Sequence, residues 1–269
     1  MSLTAGKLLE IIDAITPFHL AESWDNVGMM TGSATCEVRG VLAALDVSPP
    51  VLKEATERGC NVILSHHPLI FHPLKQLLTD SAEGRMLQEI LRGDIVVISS
   101  HTSFDNAVGG VSDWLGKRLG LVDRQPLLPG KSADTGTGTI GCLASPLAGH
   151  AFLSRLLEVL NLPGVPVAGE LPEQVQRVAI CGGSGSGFAR EAKNAGADLY
   201  LSAEIKHDTA LWAAANRFCI IDGGHYPTEK PAMELLVKRI SETLTSLGES
   251  LQVVESAAER NPLQYMERL

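Results

Sequence analysis

Three short stretches of the chain carry side chains that can hold metal. His66 and His67 close the apolar run VILS, His101 and Asp105 follow VVISS, and His225 and Glu229 follow CIIDGG. In the second and third stretches the carboxylate comes four residues after the histidine. Imidazole and carboxylate donors suit Zn, Fe, Mn, Co or Ni. Three such sets in one chain point to metal-assisted catalysis with two divalent ions, which polarise an electrophile and activate water from positions roughly 3.5–4 Å apart. Consecutive residues of a strand face opposite ways, so His66 and His67 can converge only where the backbone turns. Pro68 supplies that turn, because it restricts His67 and ends any hydrogen-bonded ladder.

The elements that must hold these residues alternate. An amphipathic helix opens the chain at residues 3–15, with Thr4 as its cap and Pro17 beyond its end. The pattern then runs strand, helix, strand, helix, strand, helix up to Gly120, the strands being VRGVLAALDVS, NVILS and DIVVISS. Such near-continuous apolar strands belong to a βα sheet covered on both faces. Ligands of these sheets sit beyond the carboxyl ends of the strands, where the histidines fall. Residues 125–138 are rich in Gly, Pro and Thr and mark a boundary. A second run of strands and helices follows, then a long final helix and SLQVVES as a possible last strand.

The two halves rhyme. Ala55, Gly59, Leu64 and Ser65 match Ala192, Gly196, Leu201 and Ser202 without a gap, so that His67 falls on Glu204. His101 matches His225, and Asp105 matches Glu229. A gapped match over successive units suggests duplication; the alternative is the general likeness of any two βα units. Duplication implies a first lobe of residues 1–127 plus 225–269, a second of 128–224, a metal site in the cleft between them, and a final helix packed back on the first lobe.

Other residues have weaker claims. His207, three positions after Glu204, and Glu204 itself could bind substrate or move protons; a solvated helix start explains them equally well. His72 reads as a structural loop histidine. Trp24, Asp25 and Asn26 form a polar-aromatic turn in which either polar residue could touch ligand. Asp13 and Asp94 read as solvated or capping residues. The Gly182–Gly187 turn lacks the Lys-Ser/Thr pair of a P-loop, and Phe188 stands where a dinucleotide fingerprint needs its third glycine, so it reads as a tight βα turn with room for a phosphate contact.

Composition narrows the class. The 269 residues include 22 Lys plus Arg against 31 Asp plus Glu, a formal charge of -9, which makes nucleic acid an unfavoured partner. The pairs Lys117-Arg118 and Lys238-Arg239 read as solvated helix faces. The five cysteines, Cys36, Cys60, Cys142, Cys181 and Cys219, form no CxxC motif and read as free thiols of a reducing compartment. No signal peptide or membrane span is expected, and the cytoplasm is the expected location.

The fragments LSHHPLIFHPLK, SSHTSFDNAVGGVSDWLG and IDGGHYPTE resemble the dinuclear metal proteins known as GTP cyclohydrolase 1 type 2 homologs, a NIF-three-like family, and the likeness runs through nearly the whole chain. The resemblance implies that His66, His67, Asp105, His225 and Glu229 hold two metals, with His101 near the site rather than among the ligands; His101, His207 and Glu204 are the candidate catalytic residues. It implies an α/β fold of two intertwined three-layer α/β/α lobes related by a pseudo-dyad, and a homohexamer built as a trimer of dimers. It also implies a metal-dependent hydrolase acting on a small molecule, such as a nucleotide in GTP cyclohydrolase-like ring opening. A two-metal phosphohydrolase or nuclease would use the same donors, and a regulatory or scaffold protein would use the metals structurally.

Overall fold

The computed structural model describes residues 2–130 and 132–264, so the expected extension of the first lobe over 265–269 lies outside the described residues. The chain divides into two compact units. One is residues 2–104 with Met233–Arg260; the other is Asp105–Ala232 with the short segment that starts at Asn261. The final helix Ala232–Ser246 belongs to the first unit from Met233 onward. The expected boundaries at 127/128 and 224/225 fall inside the second unit. The reason is strand pairing: Leu121–Gln125 runs antiparallel to Thr139–Ala148 and so belongs with it.

The first unit is built on a five-stranded sheet in the order Gly28–Thr31, Val96–Ser99, Val62–Ser65, Val41–Ala44, Val253–Glu255. Gly28–Thr31 is antiparallel to its neighbour, and the other pairs are parallel. Every residue of the three middle strands is buried. Leu42, Ala44, Ile63 and Val97 face Val51, Leu52 and Ala55 of helix Pro49–Glu57 and Ile90 of helix Ala82–Arg92. Alternation sends Val41, Ala43, Leu64 and Ile98 to the opposite face. Helices Ala5–Ile15 and Ala232–Ser246 bury Leu8, Ile12, Leu236 and Ile240. Each such aliphatic side chain contributes about 1.5–3 kcal/mol on burial.

The second unit has a six-stranded sheet in the order Leu121–Gln125, Thr139–Ala148, Gln174–Ile180, Leu199–Ser202, Cys219–Asp222, Val167–Ala168. Its two faces are separate cores. Val178, Leu199, Leu201 and Ile221 pack with Leu115, Phe152 and Leu156, while Ala179, Tyr200 and Ile220 pack with Ala189, Ala192 and Ala213. This is a helix-sheet-helix arrangement.

The sequence rhyme reappears as topology. Val62–Ser65 and Val96–Ser99 are parallel neighbours, as are their counterparts Leu199–Ser202 and Cys219–Asp222. In each sheet a short antiparallel strand flanks the second of the pair. These flanking strands, together with Leu121–Gln125 and the small ladder Leu128–Pro129 with Gly136–Thr137, were not expected; both sheets are mixed rather than parallel. Each of these unexpected strands has two to five residues, too few to show a period.

Candidate metal centre

In the first unit the histidines stand just past two adjacent strands. Strand Val62–Ser65 ends where Ser65 Oγ donates to the His67 carbonyl at 2.7 Å, the local turn that brings the two rings to the same side. The His66 and His67 centroids are 5.1 Å apart, and His101 lies 5.2 and 5.6 Å from them. One donor atom from each of His66, His67 and His101 falls within 4.8 Å of the others, a spacing that can hold a metal ion. His101 therefore has the same geometric standing as the pair.

Each imidazole is oriented through its Nδ1. His66 Nδ1 lies 3.0 Å from the Ser100 carbonyl, His67 Nδ1 2.8 Å from Asp46 Oδ1, and His101 Nδ1 2.8 Å from Asp25 Oδ1. A carbonyl or carboxylate can only accept, so Nδ1 carries the proton and the Nε2 lone pair is left to bind metal. The Asp25 side chain is fully buried. Burial alone would raise its carboxyl. Hydrogen bonds from His101 and from the Thr102 hydroxyl and amide, with the electrostatic attraction of His101, outweigh burial and hold it at about 2.

In the second unit, helix His225–Glu229 begins past strand Cys219–Asp222 and puts its first and last residues on one face. His225 Nε2 and Glu229 Oε2 are 3.0 Å apart, which suits two donors about 2.0–2.2 Å from one ion. His225 Nδ1 meets Glu204 Oε1 at 2.8 Å, so the same orienting device recurs a fourth time. Glu204 holds this position with φ 54°, in a region that residues other than glycine rarely adopt. Gly183 lies against the pair: a Cβ there would sit 2.0 Å from Glu229 Oε1 and 3.3 Å from His225 Nε2. Asp105 ends the short helix Thr102–Asp105. Burial, then the charges of Asp105 and Glu229, push the Cys181 thiol up to about 12 despite its hydrogen bond with Tyr200.

Each unit thus carries donors of the kind that hold divalent metal: three imidazoles in the first, His225, Glu229 and Asp105 in the second. That donor set makes a metal-binding site compatible with a dinuclear centre. Among the described residues, Asp105 is not one of those whose donor atoms gather within 4.8 Å of one another. His207 is exposed at the start of helix His207–Ala215, and His72 is exposed beside Phe71. The Gly182–Gly187 turn is a tight turn whose amides are used internally: Gly182 N donates to Ser112, Gly183 N to Thr228 and Gly185 N to Ser202. Cys60, Cys181 and Cys219 are buried, whereas Cys36 and Cys142 are partly exposed. No helix among the described residues is long and apolar enough to cross a membrane.

Asp46 was missed, and Asp25 was read only as a possible ligand contact. Their signal is faint in one dimension. Asp46 follows a strand as His67 does, but it is 21 residues away; Asp25 is 76 residues from His101.

Residues 3–262 match the sequence profile of the family described as Duf34/NIF3 (NGG1p interacting factor 3). A Clostridium perfringens protein named GTP cyclohydrolase 1 type 2 homolog is 30% identical over 266 residues, covering 97% of this chain and 99% of that one. A Nostoc protein of the same name is 34% identical over 86% of this chain and 91% of its own length. The solved structure of a Staphylococcus aureus hypothetical protein superimposes with a TM-score of 0.92 at 29% identity, over 99% of this chain and 100% of that one. A Bacillus cereus protein related to NIF3 shares the fold, with a TM-score of 0.93 at 24% identity over 99% and 100% of the two chains.

Proposed function

The chain belongs to the Duf34/NIF3 family, and from that premise we propose that it is a dinuclear metal-dependent hydrolase. The observation that carries the reading is the repeated orientation of imidazoles by protein oxygens: four histidines each have Nδ1 within 3.0 Å of an acceptor. Such outer partners set the tautomer and raise ligand basicity. His66, His67 and His101 would hold one ion, and Asp105, His225 and Glu229 the other.

When bound, the ions supply Lewis acidity and water activation near neutral pH. The protein supplies the rest. Ser100, Asp46, Asp25 and Glu204 keep the donor nitrogens pointed at the metals. Buried His66 and Glu229 anchor each half, while His67 and His225 stand partly open to solvent. That openness supports catalysis, since structural metal sites are closed. Glu204 Oε1 is on His225 Nδ1, so this exposed carboxylate fixes the ring's tautomer and raises its basicity from the side away from the metal. The relatives' name suggests hydrolytic opening of a guanine ring as the first reaction to try.

The test is metal content and GTP turnover on one sample. Two metals per chain, metal-dependent formate release, and loss of metal without loss of fold in His67→Ala and Glu229→Ala are expected. Two full equivalents in either variant would remove that residue from the ligand set. A protein that unfolds on chelation and hydrolyses no cyclic amide or phosphoester would be a metal-stabilised scaffold instead.

A further inference from the structure

Beside the second unit's donors lies a cleft of about 230 Å3 whose walls include Ser186, Arg190, Lys206, Asp208, Thr209 and Trp212. We infer that this cleft binds the phosphate group of a phosphorylated small molecule, and that Arg190 and Lys206 select for it. The claim that this molecule is the substrate rests on the hydrolase reading above; the cleft itself does not.

Charge is the first argument. The chain has a net charge of -9, yet this cleft gathers two cations. Neither Arg190 nor Lys206 makes an ion pair among the described residues. Arg190 instead lies over Trp212, its Cζ 4.8 Å from the ring centroid. That contact holds a planar guanidinium in place without using its N–H donors, which suit phosphate oxygens. Asp208 is the acid among the lining residues, so the cations stay in excess.

Hydroxyls and position are the second. Ser186 is buried, and its Oγ accepts from the Lys206 amide at 3.0 Å, which ties the two walls together and leaves the hydroxyl proton to donate. Thr209 adds a second hydroxyl.

Size is the third argument. Sites for whole drug-sized ligands run to about 300–1,000 Å3, so this cleft takes one small group and leaves the rest of the ligand outside. The metal donors are close. Glu204, on His225 Nδ1, precedes Lys206 by two residues, and two residues span at most about 7 Å. A ligand anchored by phosphate at Arg190 and Lys206 would therefore sit on the segment that also carries Glu204 to His225.

The test is a 31P NMR titration of chelator-stripped protein with inorganic phosphate at low salt. Saturable binding is expected. Arg190→Ala and Lys206→Ala should each weaken it about tenfold, the size expected for one charge-assisted contact. Arg190→Lys should recover part of the loss, and Lys53→Ala, on the first unit, should change nothing. Melting curves confirm that each variant is folded. No saturable binding, or equal affinity in the Arg190→Ala/Lys206→Ala double variant, overturns the inference. The metal-loaded protein separates the two readings: phosphate binding with no turnover of phosphorylated cyclic compounds overturns the hydrolase and keeps the cleft.

Discussion

Replacing Asp25 by Asn tests whether buried carboxylates orient the histidines. The Asp25 carboxylate has no solvent exposure and accepts three hydrogen bonds: from His101 Nδ1 at 2.8 Å, the Thr102 amide at 3.0 Å and the Thr102 hydroxyl at 2.5 Å. An amide has one accepting oxygen where the carboxylate has two. If its NH2 faces Thr102, a buried N–H meets a buried N–H, and losing a bond to a charged group costs about 1.5–3 kcal/mol. If it faces His101, Nδ1 must become the acceptor and Nε2 takes the proton, which removes the metal donor. Either way, metal affinity should fall about 10–100-fold, as is usual when an outer partner of a ligand is removed. Asp46→Ala is the matched control. Its carboxylate holds His67 Nδ1 at 2.8 Å but is 54% exposed. Its loss should leave stability within about 0.5 kcal/mol while still lowering affinity. Chelator competition gives the affinities, and urea melts of metal-free protein give the stabilities. Wild-type affinity in Asp46→Ala, or an Asp25→Asn protein unchanged in both measurements, would refute the orienting role.

Gly183→Ala should displace Glu229, because the new Cβ would lie 2.0 Å from Oε1 and the residue has φ +65°; loss of one metal per chain by elemental analysis, with unchanged far-UV circular dichroism, is expected. Glu54 accepts from Ser256 Oγ at 2.6 Å and from the Ala257 and Ala258 amides at 3.1 and 3.0 Å, and pairs with Arg58 at 3.0 Å. Burial raises its carboxyl, and these partners outweigh burial and hold it below the ordinary value. Its stabilisation is thus complete above the unfolded value of about 4.3 and is lost as pH falls through the lower native one. Glu54→Gln should cost about 1.5–3 kcal/mol at neutral pH, by urea melts, and the gap should close on acidification. Burial pushes the Cys219 thiol up to about 11 and, with the charges of Asp105 and Glu229, Cys181 to about 12. Iodoacetamide at pH 8 should therefore spare both in the native protein and label Cys36, as read by peptide mass.

The histidines were legible because their signal is local. A short apolar run such as Val62–Ser65, β-branched and bounded by turn residues, reads as a buried strand, and whatever follows it lies at the carboxyl edge of the sheet. The i, i+4 spacing of His225 and Glu229 likewise becomes a shared helix face without help from the rest of the chain. The duplicated pattern was also local, and it reappears in the pairing of matched strands. What the sequence could not disclose depends on segments that meet only when the sheets form. Asp25 reaches His101 because a loop before the antiparallel strand Gly28–Thr31 is carried alongside Val96–Ser99. Asp46 reaches His67 because two parallel strands end level, with Ala44 opposite Ser65. Gly183 reads in sequence as turn flexibility; in the fold it is space for a carboxylate. Periodicity and residue type determine which side chains arrive at the sheet edge, whereas register, strand order and packing decide which of them touch, since no local pattern records a contact across 76 residues.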